Sequence, residues 1–563
     1  MTSQASTMNT QKIPTYEALA LQLKHLKVDC VFGLMSDETA QFLASVDAVG
    51  IRFLRARHEN NAMSMADGYA TSSGKLGVVV LGRGPATANG LHGIMYVRKA
   101  GSRVLLMLGS PSIAPANPNA FGPDYKAMDQ ITVLRGVGVK HMTLDDPEIA
   151  PALLTRAASD AHQGLVALLL PINVLGASTP SSSLIDAPLP SSAPFCPQPR
   201  PTALRAAAAA LQLSRKPLIV AGAGAHYSGA RDAIVHLADH LGAALATSMK
   251  AKDLFKGHPF NCGVIGSFSN SAGRRLTDTA DCVLTFGAGL NQRTTSHGTS
   301  LPAAATFIQV DASRNAIGQW LHCDVGIVSD ARVAAEQLVA LIPAPAEHAM
   351  RSVANRGVLA DYRPEQEFEA RHTPRTIDPR TAAIELDRML PQDRNVVYDG
   401  GNFLLVAPYI SVPGPAHVKQ TSDFSSIGMG FGAALGFAIG DPGRTTVLII
   451  GDGGFMMTLS ELETTAREGI PLVIVVLNDC AYGAELHHLK LRDGPVATTI
   501  FPDIDFAPVA ETFGLQAVTV RTLNELRALA PLLAAPDGPL LIDCKISSSV
   551  AAAFLEEIAP KKK

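Results

Sequence analysis

The run Thr445–Thr446–Val447–Leu448–Ile449–Ile450 leads straight into Gly451–Asp452–Gly453–Gly454. This reads as a buried strand ending in an anion-sized turn, because residues without Cβ let backbone N–H groups approach a phosphate at a helix N-terminus. An amphipathic stretch follows, with Met456, Leu459, Leu462 and Ala466 on one expected helical face. It leads to a second apolar strand, PLVIVVL, which ends at Asn478–Asp479. A strand–helix–strand crossover makes the two strands parallel, so Asp452 and Asp479 should emerge at the same carboxyl edge of one sheet. Two carboxylates beside a diphosphate suit Mg²⁺, which takes few protein oxygens and fills its octahedron with phosphate oxygens and water. A plain dinucleotide-type turn would account for the glycines, but not for a second acidic strand end at matching depth.

The same alternation of short apolar runs and amphipathic stretches recurs along the 563 residues, which are enough for about three domains. DCVFGL, IRFLRAR, LGVVVLG and SRVLLMLG read as strands in a first block, and PLIVAG, AALATS, CVLTFG and ATFIQVD in a second. NVVYDG, TTVLIIG, PLVIVVLN, LQAVTV and PLLIDCKI follow in a third. Near-continuous Val, Ile and Leu implies sheets covered on both faces. The expected fold class is therefore α/β, with three doubly wound parallel-sheet domains at 12–178, 199–343 and 376–548. A Pro- and Ser-rich stretch from Gly176 to Pro201 reads as an extended surface linker, and a weaker break falls between Pro343 and Pro379.

A net charge of −3 provides no basic face for nucleic acid or a membrane surface, and Lys561–Lys563 reads as a solvated tail. Seven scattered cysteines without a CxxC pair argue against a disulfide framework and fit a reducing cytoplasm. The polar residues before Lys12 do not read as a signal peptide, and no apolar run is long enough to span a bilayer.

GDGG followed, after a helix and a strand, by an Asn-led acidic end is similar to the thiamine-diphosphate fingerprint of acetolactate synthases and pyruvate-type decarboxylases, and the resemblance covers nearly the whole chain. It implies an enzyme that makes or breaks a carbon–carbon bond next to a carbonyl, with thiamine diphosphate and Mg²⁺ as cofactors. The implied metal ligands are Asp452, Asp479 and the carbonyl of Ala481. The family usually has Asn-Asn at the second strand end; Asp479 departs from this, but is as good an Mg²⁺ ligand. Gly453, Gly454 and Asn478 belong to the same fingerprint. Arg57–His58–Glu59 resembles the segment whose glutamate activates the cofactor through N1′ of its aminopyrimidine. Gly84, Pro85 and Asn89 of GRGPATANG match the family's Gly-Pro turn and asparagine. Gly401, Asn402 and Phe403 sit where relatives contact the diphosphate. In Ser425–Ser426–Ile427–Gly428, the implied roles are a Ser425 carbonyl accepting from the 4′-amino group and an Ile427 wedge between the two cofactor rings. The first and third domains are thereby implied to bind the pyrimidine and the diphosphate. Because those halves come from different subunits in the family, a homodimer is the expected minimum and a homotetramer common.

Substrate-facing positions carry less signal. Glu485 aligns with an acidic proton-transfer residue of the decarboxylases, so the implied catalytic set is Glu59, Ile427 and Glu485. His487 and His488 read as solvated. Asp37 aligns with a decarboxylase aspartate and equally suits a helix N-cap. Asp124–Gln130 loosely resembles the matching stretch of oxalyl-CoA decarboxylases, and Arg98 and Lys99 suggest an anionic substrate. The expected partner is a small 2-keto acid, with a larger acyl compound or diketone as the alternative. A flavin or nicotinamide oxidoreductase is disfavoured, since no glycine turn is followed by a ribose-binding acid at the right distance, and so is a catalytically inactive fold relative, which has no need to keep Glu59, Asp452 and Asp479 together. The turn GAGAHYSGA, with His226 in a surface loop, leaves room for a nucleotide. GAGLNQRTTSHG, however, replaces the Arg-Phe-Asp-Asp-Arg pattern of flavin-binding relatives, so FAD is not favoured.

Overall fold

The computed structural model describes residues 11–113, 125–186, 196–343 and 349–557. Asp124, part of the Gly176–Pro201 stretch, the N-terminal polar residues and the terminal lysines lie outside them.

Each apolar block forms one six-stranded, all-parallel sheet. In the first, the spatial order is Arg52–Arg55, Cys30–Gly33, Gly77–Leu81, Val104–Ser110, Val166–Pro171 and Lys140–Thr143. In the second it is Asn261–Val264, Ala244–Thr247, Pro217–Ala221, Cys282–Phe286, Thr306–Asp311 and Val325–Val328. In the third it is Val418–Gln420, Arg394–Tyr398, Thr445–Gly451, Leu472–Asn478, Leu540–Lys545 and Gln516–Val520. The central strands are buried throughout, as helices on both faces require. The doubly wound α/β architecture is as the sequence predicts.

Near the middle of every sheet the strand order reverses, leaving a crevice at the carboxyl ends where such folds take ligands. In the third sheet the reversal falls between Arg394–Tyr398 and Thr445–Gly451, which places Asp399–Gly401 and Gly451–Gly454 side by side. In the first it falls between Cys30–Gly33 and Gly77–Leu81, where the Gly84–Pro85 turn begins the helix Pro85–Ala100. In the second, the turns after Pro217–Ala221 and Cys282–Phe286 pack backbone on backbone. Any Cβ at Gly222 would overlap the Gly287 carbonyl, and one at Gly224 would lie 2.8 Å from the Gly287 Cα.

The first and third sheets share one apolar core, joined by the helices Glu59–Ser73 and Gly430–Gly440. Gly432 and Gly436 make that approach feasible, because a Cβ on either would overlap Ser64 or the Met65 carbonyl. The helix that carries Glu59 is thus seated on the domain that carries Asp452.

Two sequence expectations change. Within the Pro/Ser-rich stretch, Ser178–Pro180 pairs antiparallel with Lys12–Pro14, and buried Thr179 donates to the Pro147 carbonyl at 2.8 Å. The helix after GDGG is broken into Asp452–Met457 and Glu461–Arg467. The break turns Met456 outward, so Phe455 rather than Met456 enters the core.

Candidate functional site

A cleft of about 1010 Å³ opens at the carboxyl edge of the third sheet and runs to the middle domain. Gly401, Asn402, Phe403, Ser425, Ile427, Asp452, Gly453, Gly454, Asp479, Ala481 and Glu485 all line it, although they come from four separate loops. Asp452 follows a strand in register with the one before Asp479, Gly451 pairing with Leu477, which sets the two acids face to face. Burial raises both carboxyls above the usual range; the charge of Asp452 raises Asp479 further and that of Asp543 raises Asp452, while the Ala481 amide donates to both. Two buried carboxyls that meet one another, with only the Ala481 amide shared between them, make a poor resting arrangement without a cation. Among the described residues no three His, Cys, Asp or Glu side chains gather around a point. A cation here would therefore rest on two carboxylates and a carbonyl, which is the Mg²⁺ habit when phosphate and water complete the shell.

The cleft floor is backbone. A Cβ at Gly453 would lie 2.8 Å from the Tyr482 ring, one at Gly454 would overlap the Asp399 carboxylate, and Gly401 has φ +141°. Phe403 packs under the floor, with its ring about 3.0 Å from a Cβ built on Gly401 or Gly451. A floor of glycine backbone beside two carboxylates would fit a diphosphate and its cation. The side chain of Asn402 is spent elsewhere, donating to the Val550 carbonyl at 2.9 Å and accepting from the Ala552 amide at 2.8 Å. Asn478 also turns away from the cleft. Its amide donates to Asp543 at 3.0 Å and its oxygen accepts from the Cys480 amide, so it shapes the Asp479–Ala481 loop instead of lining the cavity.

Glu59, Gly84, Pro85 and Asn89 do not line this cleft. Glu59 opens the helix Glu59–Ser73 and is 8% exposed, with His58 Nδ1 3.9 Å from its carboxylate. Gly84, at φ +57°, caps the helix whose first residue is Pro85. Within one chain, these four residues are therefore not brought together with those that line the cleft.

The turn before Glu59 is held by a residue sequence reasoning passed over. Glu461, fully buried on the third domain, accepts from the Arg57 amide at 2.9 Å, Asn61 Nδ2 at 2.8 Å and Thr464 Oγ1 at 2.6 Å, and from the His58 amide. Burial raises its carboxyl nonetheless. An orphaned buried donor costs about 1–3 kcal/mol, part of which relaxation recovers. Glu461→Ala should therefore lower the unfolding free energy by about 2–4 kcal/mol; denaturant titration showing no loss would mean that this clasp holds nothing.

The remaining expectations fall out as follows. Glu485 lies exposed on the cleft wall, in the first turn of the helix Gly483–Lys490. His487 is not solvated: it is 4% exposed, and burial pushes its imidazole down to about 4. His488 meets Arg492 Nη1 at 3.0 Å. Asp37 is not an N-cap, Thr39 holding that position. Neighbouring Glu38 and the Lys126 ammonium keep its carboxyl well below the usual range, so it is a poor proton donor. Arg98 and Lys99 end the helix Pro85–Ala100, where Arg98 donates to the Gly138 carbonyl at 3.0 Å, away from the cleft. His226 belongs to the short helix Ala223–Tyr227 and is half-buried. Besides Glu461, the sequence reading missed Asp399, Tyr482 and Phe554. Only Asp399 carried a signal, as an acid at a strand end directly before Gly400–Gly401.

Family models cover most of the chain. The thiamine pyrophosphate enzyme N-terminal TPP binding domain matches residues 14–132, the central domain 204–338, and the C-terminal TPP binding domain 399–544. A probable 2-ketoarginine decarboxylase of Pseudomonas aeruginosa is 29% identical over 92% of each chain. The sulfoacetaldehyde acetyltransferase of Rhodobacter capsulatus is 27% identical over 98% of this chain and 97% of its own. The acetolactate synthase large subunit of Lactococcus lactis is 26% identical over 94% and 92%. A solved Mycobacterium smegmatis protein, 22% identical, shares the fold with a TM-score of 0.78 over 95% of this chain and 100% of its own. The chain is an enzyme of the thiamine-pyrophosphate-dependent, acetolactate-synthase-like family.

Proposed function

We propose that this enzyme uses thiamine diphosphate and Mg²⁺ to make or break the carbon–carbon bond beside the carbonyl of a 2-keto acid. The observation that carries the reading is the facing pair Asp452 and Asp479, with the Ala481 carbonyl, at the mouth of a glycine-floored cleft that also holds Ile427. When bound, the cofactor supplies an electron sink for charge developing beside the carbonyl. Asp452, Asp479 and the Ala481 carbonyl would hold the metal, and the amides around Gly401, Gly453 and Gly454 would face the diphosphate. Ile427 would support the two rings in a bent shape, with the Ser425 carbonyl accepting from the 4′-amino group. Glu59 holds the proton shared with N1′ of the aminopyrimidine, and Glu485 moves a proton at the substrate carbon.

Since Glu59, Gly84, Pro85 and Asn89 lie outside the cleft of their own chain, a second copy would bring them to it. The working unit is therefore a homodimer at least, with a homotetramer compatible. Among the described residues no helix is long and apolar enough to cross a membrane. The seven free cysteines suit the reducing cytoplasm.

The relatives' names span a keto-acid decarboxylase, an acetyltransferase and a synthase, so the substrate must be argued from the wall. The cleft reaches Ser248, Gln292 and Trp320, and the Arg293 guanidinium lies 4.4 Å over the Phe554 ring there. That reach favours, as a second reading, an acyl substrate larger than pyruvate that ends in an anion. Purified protein incubated with thiamine diphosphate, Mg²⁺ and pyruvate should release CO₂. Acetolactate as co-product would mark a carboligase and acetaldehyde a decarboxylase. Cofactor binding without turnover would move the substrate to the larger class, whereas failure to bind thiamine diphosphate with Mg²⁺ would sink the proposal.

A further inference from the structure

Asp399 ends the strand Arg394–Tyr398 at the reversal point of the third sheet and is fully buried. Asp399 does not line the cleft, yet three of the four loops that do, at Gly400, Thr421–Gly428 and Gly454, pack against its carboxylate. Oδ2 accepts from the Gly428 amide at 2.7 Å; Oδ1 accepts from the Gly430 amide at 3.0 Å and from Thr421 Oγ1 at 3.1 Å; the Gly400 amide also donates to it. All four partners are neutral. Two glycines exist to let it in: a Cβ at Gly430 would lie 2.7 Å from Asp399 Cβ, and one at Gly454 would overlap Oδ2. The loop it grips is not relaxed. Ser425 has φ +54°, and Gly428 has φ +86°. A non-glycine residue in that region costs about 1–3 kcal/mol and persists only where its surroundings impose it. Between these two residues lies Ile427, whose Cγ2 is 3.5 Å from a Cβ built on Gly400.

We infer that Asp399 is a positioning residue: by tying the amides of Gly428 and Gly430 to the strand end before Gly400 and Gly401, it holds Ile427 at a fixed height over the diphosphate floor. The inference rests on the cofactor reading above for its catalytic consequence, while its structural half stands without it. A carboxylate is required because three amides and a hydroxyl must all find acceptors. Asparagine offers one oxygen and would set its own N–H₂ against an amide N–H.

The test is a double-mutant cycle combined with amide exchange on the full chain. In Asp399→Asn the amides of Gly428 and Gly430 should exchange at least about tenfold faster, while those of Val447–Ile449 keep their protection. This arm needs no cofactor, so it separates failure of the positioning idea from failure of the thiamine diphosphate reading. With cofactor, Asp399→Asn and Ile427→Ala should each lower kcat roughly 10- to 100-fold, and the double variant should lose no more than the worse single. Losses that multiply would show that Asp399 acts elsewhere than through Ile427, and unchanged exchange at Gly428 and Gly430 would overturn the clasp itself. Should Asp399→Asn fail to fold, Thr421→Val removes one neutral donor from the same carboxylate and runs through the same cycle with a smaller loss at each step.

Discussion

Glu59→Gln is expected to lower kcat by about 10³-fold or more while thermal unfolding and affinity for Mg²⁺ with thiamine diphosphate stay close to wild type. The substitution is isosteric at a site 8% exposed, where the nearest charged neighbour, His58 Nδ1, is 3.9 Å away. Among the described residues only that long His58 contact is sacrificed, and the loss of a negative charge at the start of a helix costs only about 0.3–1 kcal/mol. The capacity to share a proton disappears entirely. A carboxylate and its acid exchange a proton within the range where a ring nitrogen can take part; an amide does not. The turn that carries Glu59 is clasped by Glu461 and its helix is locked against Gly432 and Gly436, so the side chain has little freedom to be replaced by a neighbour. Steady-state kinetics, thermal melts and calorimetric titration of the cofactor check the three parts of the expectation. Wild-type turnover in the variant would remove Glu59 from the reaction. Parallel loss of activity and cofactor affinity would make it a binding residue instead.

Why some of this was legible in the sequence and some was not follows from the distance between partners. Runs such as TTVLII and PLVIVVL announce central parallel strands by themselves, because a strand covered on both faces has no polar side to hide. Four of the six edge strands of the three parallel sheets carry no such signature. Asn261–Val264, Val325–Val328, Val418–Gln420 and Lys140–Thr143 are short and mostly half-exposed, and went unread. Val166–Pro171 went unread for a different reason: a six-residue apolar run directly after a helix cannot be distinguished from more helix by periodicity.

The site divides along the same line. Asp452 and Asp479 could be paired because both sit at the ends of adjacent strands in one crossover, and glycines in a turn advertise the absence of a side chain. Glu461 could not be found, because its partners Arg57 and Asn61 lie some 400 residues away in another domain. Asn478 was misread as facing the cofactor because the residue before Asp479 alternates to the opposite side of the strand end, where Asp543 receives it. His487 was read as solvated because the sequence of the helix Gly483–Lys490 does not reveal what packs over it, and that face is closed by the chain around Val550.

Withdrawing the divalent cation is expected to make the folded enzyme less stable as pH rises, and Asp479→Asn is expected to cancel that slope while weakening cofactor binding. Burial raises the carboxyls of Asp452 and Asp479 above the usual carboxylate range, Asp479 further through the charge of Asp452 and Asp452 further through that of Asp543. A group with a folded pKa above its unfolded one contributes stability that is complete below the unfolded value and lost as pH climbs through the folded value. In a chelator the melting temperature should therefore fall between about pH 5 and pH 8. Mg²⁺ would reverse the logic by taking the place of the protons. It would bind the ionised pair, gain affinity as pH rises, and at a hundredfold excess over its Kd add about 2.7 kcal/mol. Asp479→Asn keeps a neutral oxygen but abolishes the repulsion. The cation-free variant should exceed cation-free wild type at pH 8 by about 1–3 kcal/mol, since each unit of pKa displacement is worth about 1.4 kcal/mol. It should also bind Mg²⁺ with thiamine diphosphate at least about 10–100-fold more weakly. A pair kept only for packing would lose stability on substitution and show no change in cofactor affinity, so the opposite signs of the two effects are what identify a cation site. A melting temperature that rises with pH in chelator, or undiminished cofactor affinity in the variant, would refute the metal role of Asp479.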